Sequence, residues 1–443
     1  MKDEDIQYIY RLGIDTIKSL EVEKGILASG KKEIYGCIFG RDSLVTSLKL
    51  LRAYNYKKED YFLTLVRKIL LGLAELQGKD INIESGEEPG KCIHEFRISE
   101  HEHLTIRGIP PWYVYPDNTM RNFDSVDATP LFLIAIYRYW QKTKDKKFMQ
   151  KIIDHVVSAI NWIMVFGDIN KDGFIDYQMH LQRKRGGLIT QNWMDSSEAI
   201  FHEDSENIIY PIAPVEAQGY SYLALRLWAK YFSRRHRADV DVSALNKKAS
   251  KLKKDFNKIF IVSANPENFK MAHALDGNHK PLVSLRSSIG HVLWSCMNLQ
   301  DDKKIDGILY RKYVGLLVKK ILEPEIFEET AGIRTLGKKS RAFDANSYHN
   351  GSIWPHDNSL IAEGMENYGF IKEANRVREA EFMAWQHFGT PIELFVFFEG
   401  KYKEYRSTHG QIACRTQAWS AASMIADVLA YTSYDENKTD AIV

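Results

Sequence analysis

The chain has 443 residues, 44% hydrophobic and 27% charged, a balance that fills a core, wets a surface and excludes disorder. Sixty Lys and Arg against 58 Asp and Glu leave a formal charge of +2. No long run of one sign accompanies it, which argues against nucleic acid as a partner. The N-terminal MKDEDIQYIYRLGID places acids where a secretory signal needs bases, and no apolar run reaches the roughly 20 residues that span a bilayer, so a cytoplasmic protein without a membrane partner is expected.

Apolar residues three and four apart recur along the whole chain and predict twelve helices. The first six fall near 4–27, 43–55, 58–76, 126–143, 146–166 and 213–233. The second six fall near 241–259, 285–298, 303–321, 356–368, 371–387 and 416–432. Some are apolar on most faces, as in DATPLFLIAIYRYW from Asp127, whereas LNKKASKLKKDFNKIF from Leu245 is rich in lysine. Buried helices interleaved with solvated ones suit an inner ring of helices sheathed by an outer one. The expected class is therefore all-α, one toroid of helical hairpins over residues 1–443, since no Pro-, Gly- or Ser-rich linker divides the chain. Strand-like alternation is scarce, and FIDYQM after Gly173 falls in a connection. The long connections 77–123, 167–212, 260–284, 322–355 and 388–415 are rich in Trp, Tyr, His, Asp and Glu, so a site is expected there.

Cys37, Cys92, Cys296 and Cys414 form no C-x-x-C pair, so neither a disulfide framework nor a zinc clip is signalled. DINKDGFID at 168–176 has the D-x-N-x-D-G spacing of a calcium loop with Gly173 at the sharp turn. Its twelfth position is Met179 rather than a bidentate Glu, so a structural turn and no metal are expected. His101 and His103 lack the H-E-x-x-H spacing, and no Walker loop, dinucleotide fingerprint or G-x-S-x-G elbow is present. Neither metal nor other cofactor is expected.

Two acids stand out. Asp195 follows Trp193 and Met194 in QNWMDSSEA, where bulk can desolvate a carboxyl and hold it protonated near neutral pH; a helix N-cap is the competing role. Glu393 in GTPIELFVFFEG lies between a turn and an apolar run, with a solvated loop carboxylate as the competing role. Phe39, Arg41 and Asp42 in FGRDS, with Tyr348, His349, Asn350, Trp354 and Asp357 in YHNGSIWPHDN, alternate aromatic faces with polar forks. Aromatic faces stack on the C–H faces of a sugar ring, and forks of this kind pair with its hydroxyls. A buried structural network would use the same residue types.

The chain resembles the amylo-α-1,6-glucosidase part of glycogen debranching enzymes, within the six-hairpin glycosidases. The segments that carry the resemblance are FGRDSL at Phe39, EEPGKCIHEFR at Glu87, SVDATPLF at Ser125, NWMDS at Asn192, VEAQGY at Val215, GIRTL at Gly332, YHNGSIWPHDNSLIAEGMENYG at Tyr348, PIELF at Pro391 and QAWSAAS at Gln417. The resemblance implies an (α/α)6 barrel with long loops forming the site at one end. It implies Asp195 as general acid and Glu393 as general base of an inverting, exo-acting enzyme that releases glucose from α-1,6-linked gluco-oligosaccharides or dextrin branch stubs. It further implies Phe39, Arg41, Asp42, Trp193, Tyr348, His349, Asn350, Trp354 and Asp357 as the glucose subsite. Family members usually carry a further N-terminal domain, whereas FGRDSL stands near the start of this chain, an expectation against action on branched glycogen. The alternatives are a related hydrolase of a small α-glucoside or α-mannoside such as glucosylglycerate, which a charged subsite beyond the glucose pocket would favour, and a non-catalytic carbohydrate-binding barrel.

Overall fold

The computed structural model describes residues 2–298 and 304–439. Its α-helices are α1 (Asp3–Leu20), α2 (Gly40–Tyr56), α3 (Asp60–Glu75), the one-turn α4 (Glu102–Thr105), α5 (Ala128–Thr143), α6 (Lys146–Val165), α7 (Val215–Ser233), α8 (Val242–Ile259), α9 (Arg311–Ile321), α10 (Pro355–Asn367), α11 (Ile371–Phe388) and α12 (Ala418–Thr439). A 3₁₀ helix, Ser287–Trp294, takes the eighth place in the predicted series.

Contacts between elements trace two rings. Helices α2, α5, α7, the 3₁₀ helix, α10 and α12 each touch the next, and α12 closes on α2. Outside them, α1 packs on α12, α3 on α2, α6 on α5, α8 on α7, α9 on the 3₁₀ helix and α11 on α10. This is an (α/α)6 barrel, and burial follows the sequence pattern. In α5 every residue from Ala128 to Tyr137 is buried, as an inner helix requires. In α8, Leu245, Ala249, Leu252 and Phe256 form one buried stripe at spacings of four and three, while Lys247, Lys251, Lys254 and Lys258 face solvent. Helix starts are fixed locally: the Asp145 carboxylate accepts from Phe148 N at the head of α6, Asp241 does the same for Ser243 and Ala244 in α8, and Pro355 opens α10.

Three predicted elements differ. The first helix ends at Leu20 rather than 27, because Glu21–Val22 turns back to pair with Gly25–Ile26. The segment 285–298 is not α-helical. Gly290 there lies so close to its neighbours that an added Cβ would sit 2.8 Å from Ile321 and Ile361 side chains, and the tighter 3₁₀ winding accompanies that close approach. The helix expected over 303–321 begins at Arg311, after a strand pair of Met297–Asn298 with Lys304–Ile305; its residue 303 lies outside the described residues. The FIDYQM segment forms no ladder, although Tyr177 makes a single bridge to Ile212.

The inner helices all begin at one end of the barrel, and the loops expected to work gather there. A three-stranded antiparallel sheet, Ile38–Phe39, Glu95–Arg97 and Met120–Asn122, lies immediately before α2 and sets Phe39 opposite Glu95. A bridge between Ile353 and Phe395 ties the loop before α10 to the segment carrying Glu393. Gly40, first residue of α2, donates its N–H to His94 O, and a Cβ there would fall 1.9 Å from Ile93 O. Gly40→Ala is therefore expected to cost about 1–3 kcal/mol by overpacking against backbone, visible as a lower melting temperature. No helix among the described residues is long and apolar enough to cross a membrane.

Candidate active site

Arg41, in the first turn of α2, organises the site. Its Nε donates to Asp127 Oδ2 at 2.7 Å, its Nη2 to Asn192 O at 2.9 Å and its Nη1 to Asp195 Oδ2 at 3.3 Å. The guanidinium thereby pins the Asn192–Asp195 segment to the heads of α2 and α5. Asp195 is not a helix cap: the short 3₁₀ helix that follows has Ser196 at its N-cap, without a side-chain cap. Among the described residues no other side chain bonds its carboxyl, whose surface is a quarter exposed. Burial pushes the group from 3.8 up to about 6, against the pull of Arg41.

Glu393 is 1% exposed, which rules out a solvated loop carboxylate. Oε1 accepts from the Tyr348 hydroxyl and Oε2 from Cys414 N at 2.8 Å, so the protein offers both oxygens donors, the arrangement an ionised carboxylate takes. Burial nonetheless raises it from 4.5 to about 7, with Tyr348 and Cys414 opposing the rise. The Tyr348 hydroxyl also lies 3.2 Å from that of Tyr35, to which Gln411 Nε2 donates. Asp42 accepts from Gln417 Nε2 at 3.1 Å, and burial with nearby Glu393 and Asp195 carries it to about 8 although Arg41 pulls the other way.

These carboxyls share one cavity of about 230 Å³, lined by Phe39, Arg41, Asp42, Trp193, Asp195, Tyr348, His349, Trp354 and Glu393 among others. The aromatic rings pack as a block. His349 stacks on Trp354 with centroids 5.0 Å apart, Trp193 meets Trp354 edge-on at 5.8 Å, and His356 stacks on Trp419 at 3.6 Å. His349 Nδ1 lies 2.9 Å from Ser196 Oγ, locking the Asp195 loop to the Tyr348 loop. Burial and the charges of Arg286 and Arg41 hold the His349 ring well below the usual histidine range, so it is neutral here.

Two expected wall residues stand a layer behind. Asn350 takes Arg286 Nη2 on its oxygen at 2.7 Å and donates to Glu198 O, whereas Asp357 is fully buried and bonded to His291 Nε2 at 2.6 Å. Sequence reasoning also passed over wall residues. Tyr35 and Trp112 lie outside the segments that carry the family resemblance, whereas His94, Arg97, Gln417 and Trp419, with Asp127 behind Arg41, lie within them but bear no local mark of a site role. Arg97 is not a free cation, because Glu95 and Ile34 O accept its donors.

A second, larger cavity of about 390 Å³ opens at the far end of the barrel among Arg52, Arg138, Lys142, Glu363 and Glu366. It has no aromatic wall. Glu363 there is shared by Lys49 at 3.0 Å and Arg138 at 3.1 Å, which hold it well below the usual carboxylate range, a network that joins inner helices.

No curated protein matches the chain. Among solved structures, a GH63 mannosylglycerate hydrolase from Thermus thermophilus, in complex with Tris and D-glycerate, superposes with a TM-score of 0.66 at 12% identity over 94% of this chain and 99% of that one. The same enzyme in complex with glucose gives 0.64 at 12% over the same shares. The structure of a wild-type glycosidase gives 0.53 at 11% identity, covering 97% of this chain and 99% of that one. At these identities the likeness shows the fold alone. The sequence model of the amylo-alpha-1,6-glucosidase family matches residues 97–426, most of the barrel and the loops bearing Asp195, Tyr348 and Glu393, and the chain therefore belongs to that family of glycoside hydrolases.

Proposed function

We propose that residues 1–443 form one catalytic domain, an inverting, exo-acting glycoside hydrolase that releases glucose from α-1,6-linked gluco-oligosaccharides or dextrin stubs. The observation that carries this reading is a pair of carboxyls from separate loops, Asp195 and Glu393, raised by burial to about 6 and about 7 within one aromatic cavity. Asp195 is the general acid: a single side chain bonds it, and its remaining oxygen can deliver a proton to the glycosidic oxygen. Glu393, with donors on both oxygens, is the base that takes a proton from the attacking water. Phe39, Trp193, Tyr348, His349 and Trp354 hold the ring, with Arg41 and Asp42 for its hydroxyls, and Asn350 and Asp357 support that wall from behind. The cavity is smaller than the roughly 300–1,000 Å³ of sites for larger ligands, which suits one terminal ring.

Turnover requires Asp195 protonated and Glu393 ionised. The first state is lost as pH rises through about 6 and the second as pH falls through about 7, so kcat/KM is expected to peak between them. Tyr348→Phe removes a donor that holds Glu393 down. Glu393 is then expected to titrate roughly 1–2 units higher, from about 1.5–3 kcal/mol for a hydrogen bond to a charged group; because Asp195 titrates below it, the alkaline limb of kcat/KM moves up by that amount and the maximum falls about 10–100-fold.

A second reading, hydrolysis of a small α-glucoside or α-mannoside, draws support from the mannosylglycerate hydrolase fold likeness. Against a charged aglycone, Arg97 at the cavity is already neutralised by Glu95. Glucose release from isomaltose, panose, limit dextrin, maltose and glucosylglycerate decides between them, and proton NMR of the first sugar formed reads the mechanism. α-1,6 substrates alone, yielding β-glucose first, support the proposal. Turnover of only glucosylglycerate moves the function to the second reading, and α-glucose first refutes inversion.

A further inference from the structure

The loop after α6 has a use that the barrel chemistry does not absorb. In Asp168-Ile-Asn-Lys-Asp172-Gly-Phe-Ile-Asp176, ligand atoms of Asp168, Asp172 and Asp176 all lie within 4.8 Å of one another. Asp168 and Asp176 are 6% and 2% exposed, yet Asp168 Oδ1 and Asp176 Oδ2 have no hydrogen-bond partner. A carboxylate oxygen taken from water without a donor is costly, and two beside each other more so. Asp168, Asn170, Asp172 and Asp176 occupy positions one, three, five and nine of a calcium loop, with Gly173 at position six, where φ is +111°.

We propose that Asp168, Asp172 and Asp176 bind one calcium ion. The cations already facing the cluster do not replace it. Lys248 Nζ of α8 lies 2.7 Å from Asp168 Oδ2, the oxygen that also accepts from Gly173 N, and leaves Oδ1 unpaired. His279 Nε2 is 2.8 Å from Asp172 Oδ2, and Lys251 Nζ bonds the Asp172 carbonyl rather than its side chain. Three carboxylates beside the Lys248 ammonium leave two negative charges, which a divalent ion cancels. An all-oxygen donor set with Met179 in place of the bidentate acid suits calcium, which accepts irregular coordination, better than magnesium, which demands a near-ideal octahedron.

The ion would fasten the root of the Asp195 loop. Gln218 Oε1 accepts Ile175 N at 2.9 Å, and the Tyr177 hydroxyl donates to Asn192 Oδ1 at 3.2 Å, whose own carbonyl holds Arg41. The test is calorimetric titration of CaCl2 into the exhaustively chelated whole protein, with thermal unfolding in CaCl2, MgCl2 and EDTA. One equivalent of calcium should bind, raise the melting temperature by roughly 3 °C at a hundredfold excess over Kd, and exceed the effect of magnesium. Asp176→Asn and the more exposed Asp172→Asn should each lose that response, and the second keeps the test valid should the first not fold. No heat and no shift with calcium, or a parental response in the Asp172→Asn protein, overturns the site.

Discussion

Asp195→Asn is expected to lower glucose release by about 10²–10⁴-fold, the usual contribution of a positioned proton donor. The amide cannot donate a proton at catalytic cost comparable to a carboxylic acid, yet it is nearly isosteric and its oxygen can still accept from Arg41 Nη1. Arg41 itself stays fixed by Asp127 and by Asn192 O, so the loop should hold its place and the melting temperature should change little. Loss in kcat with KM nearly unchanged, measured by steady-state glucose release, marks an interaction made in the transition state. Sugar binding with no turnover in either parent or variant would instead describe a barrel that binds without catalysis, and equal turnover in both would remove Asp195 from the role of general acid.

Glu393→Gln should abolish activity to a similar degree while making the protein more stable above neutrality. The carboxyl ionises near 4.5 when unfolded and near 7 in the fold, so between these values the unfolded chain binds fewer protons and folded stability falls as pH rises. The loss is complete above about pH 7 and absent below about pH 4. Glutamine carries no such charge. Its oxygen can accept Cys414 N, and its amide can donate to the Tyr348 oxygen, whose proton then turns to Tyr35. A gain of on the order of 3 kcal/mol is the upper limit at pH 8, shrinking toward pH 4, and melting temperatures at pH 5 and 8 read the difference. An inactive variant that melts lower at pH 8 would place Glu393 among structural groups instead. The expected pattern is a site whose charge is bought with stability.

Much of the barrel was legible because helical burial writes itself into residue spacing. The lysine-rich α8 and the apolar α5 announce outer and inner places, each helix recording locally which of its faces meets water. Where the pattern misled, the cause lay outside the local window. Apolar residues continue past Leu20, but their chain reverses into a strand pair. SSIGHVLW has helical spacing, but its winding follows the close approach of Ile321 and Ile361 to Gly290.

Asp195 and Glu393 were visible as acids beside bulky or apolar neighbours, and resemblance to a family supplied their expected roles. Residue types and their order also determined the absence of a disulfide framework and marked the loops rich in aromatic and charged groups. Only the tertiary structure decided that Arg41 binds Asp127 and Asp195 rather than its neighbour Asp42, that Tyr348 reaches Glu393, and that Asn350 and Asp357 stand behind the wall. The reason is physical. Spacing along a chain records which side of an element is dry, whereas a carboxyl's charge state depends on donors and charges brought from distant loops, and these become neighbours only when the ring of helices closes.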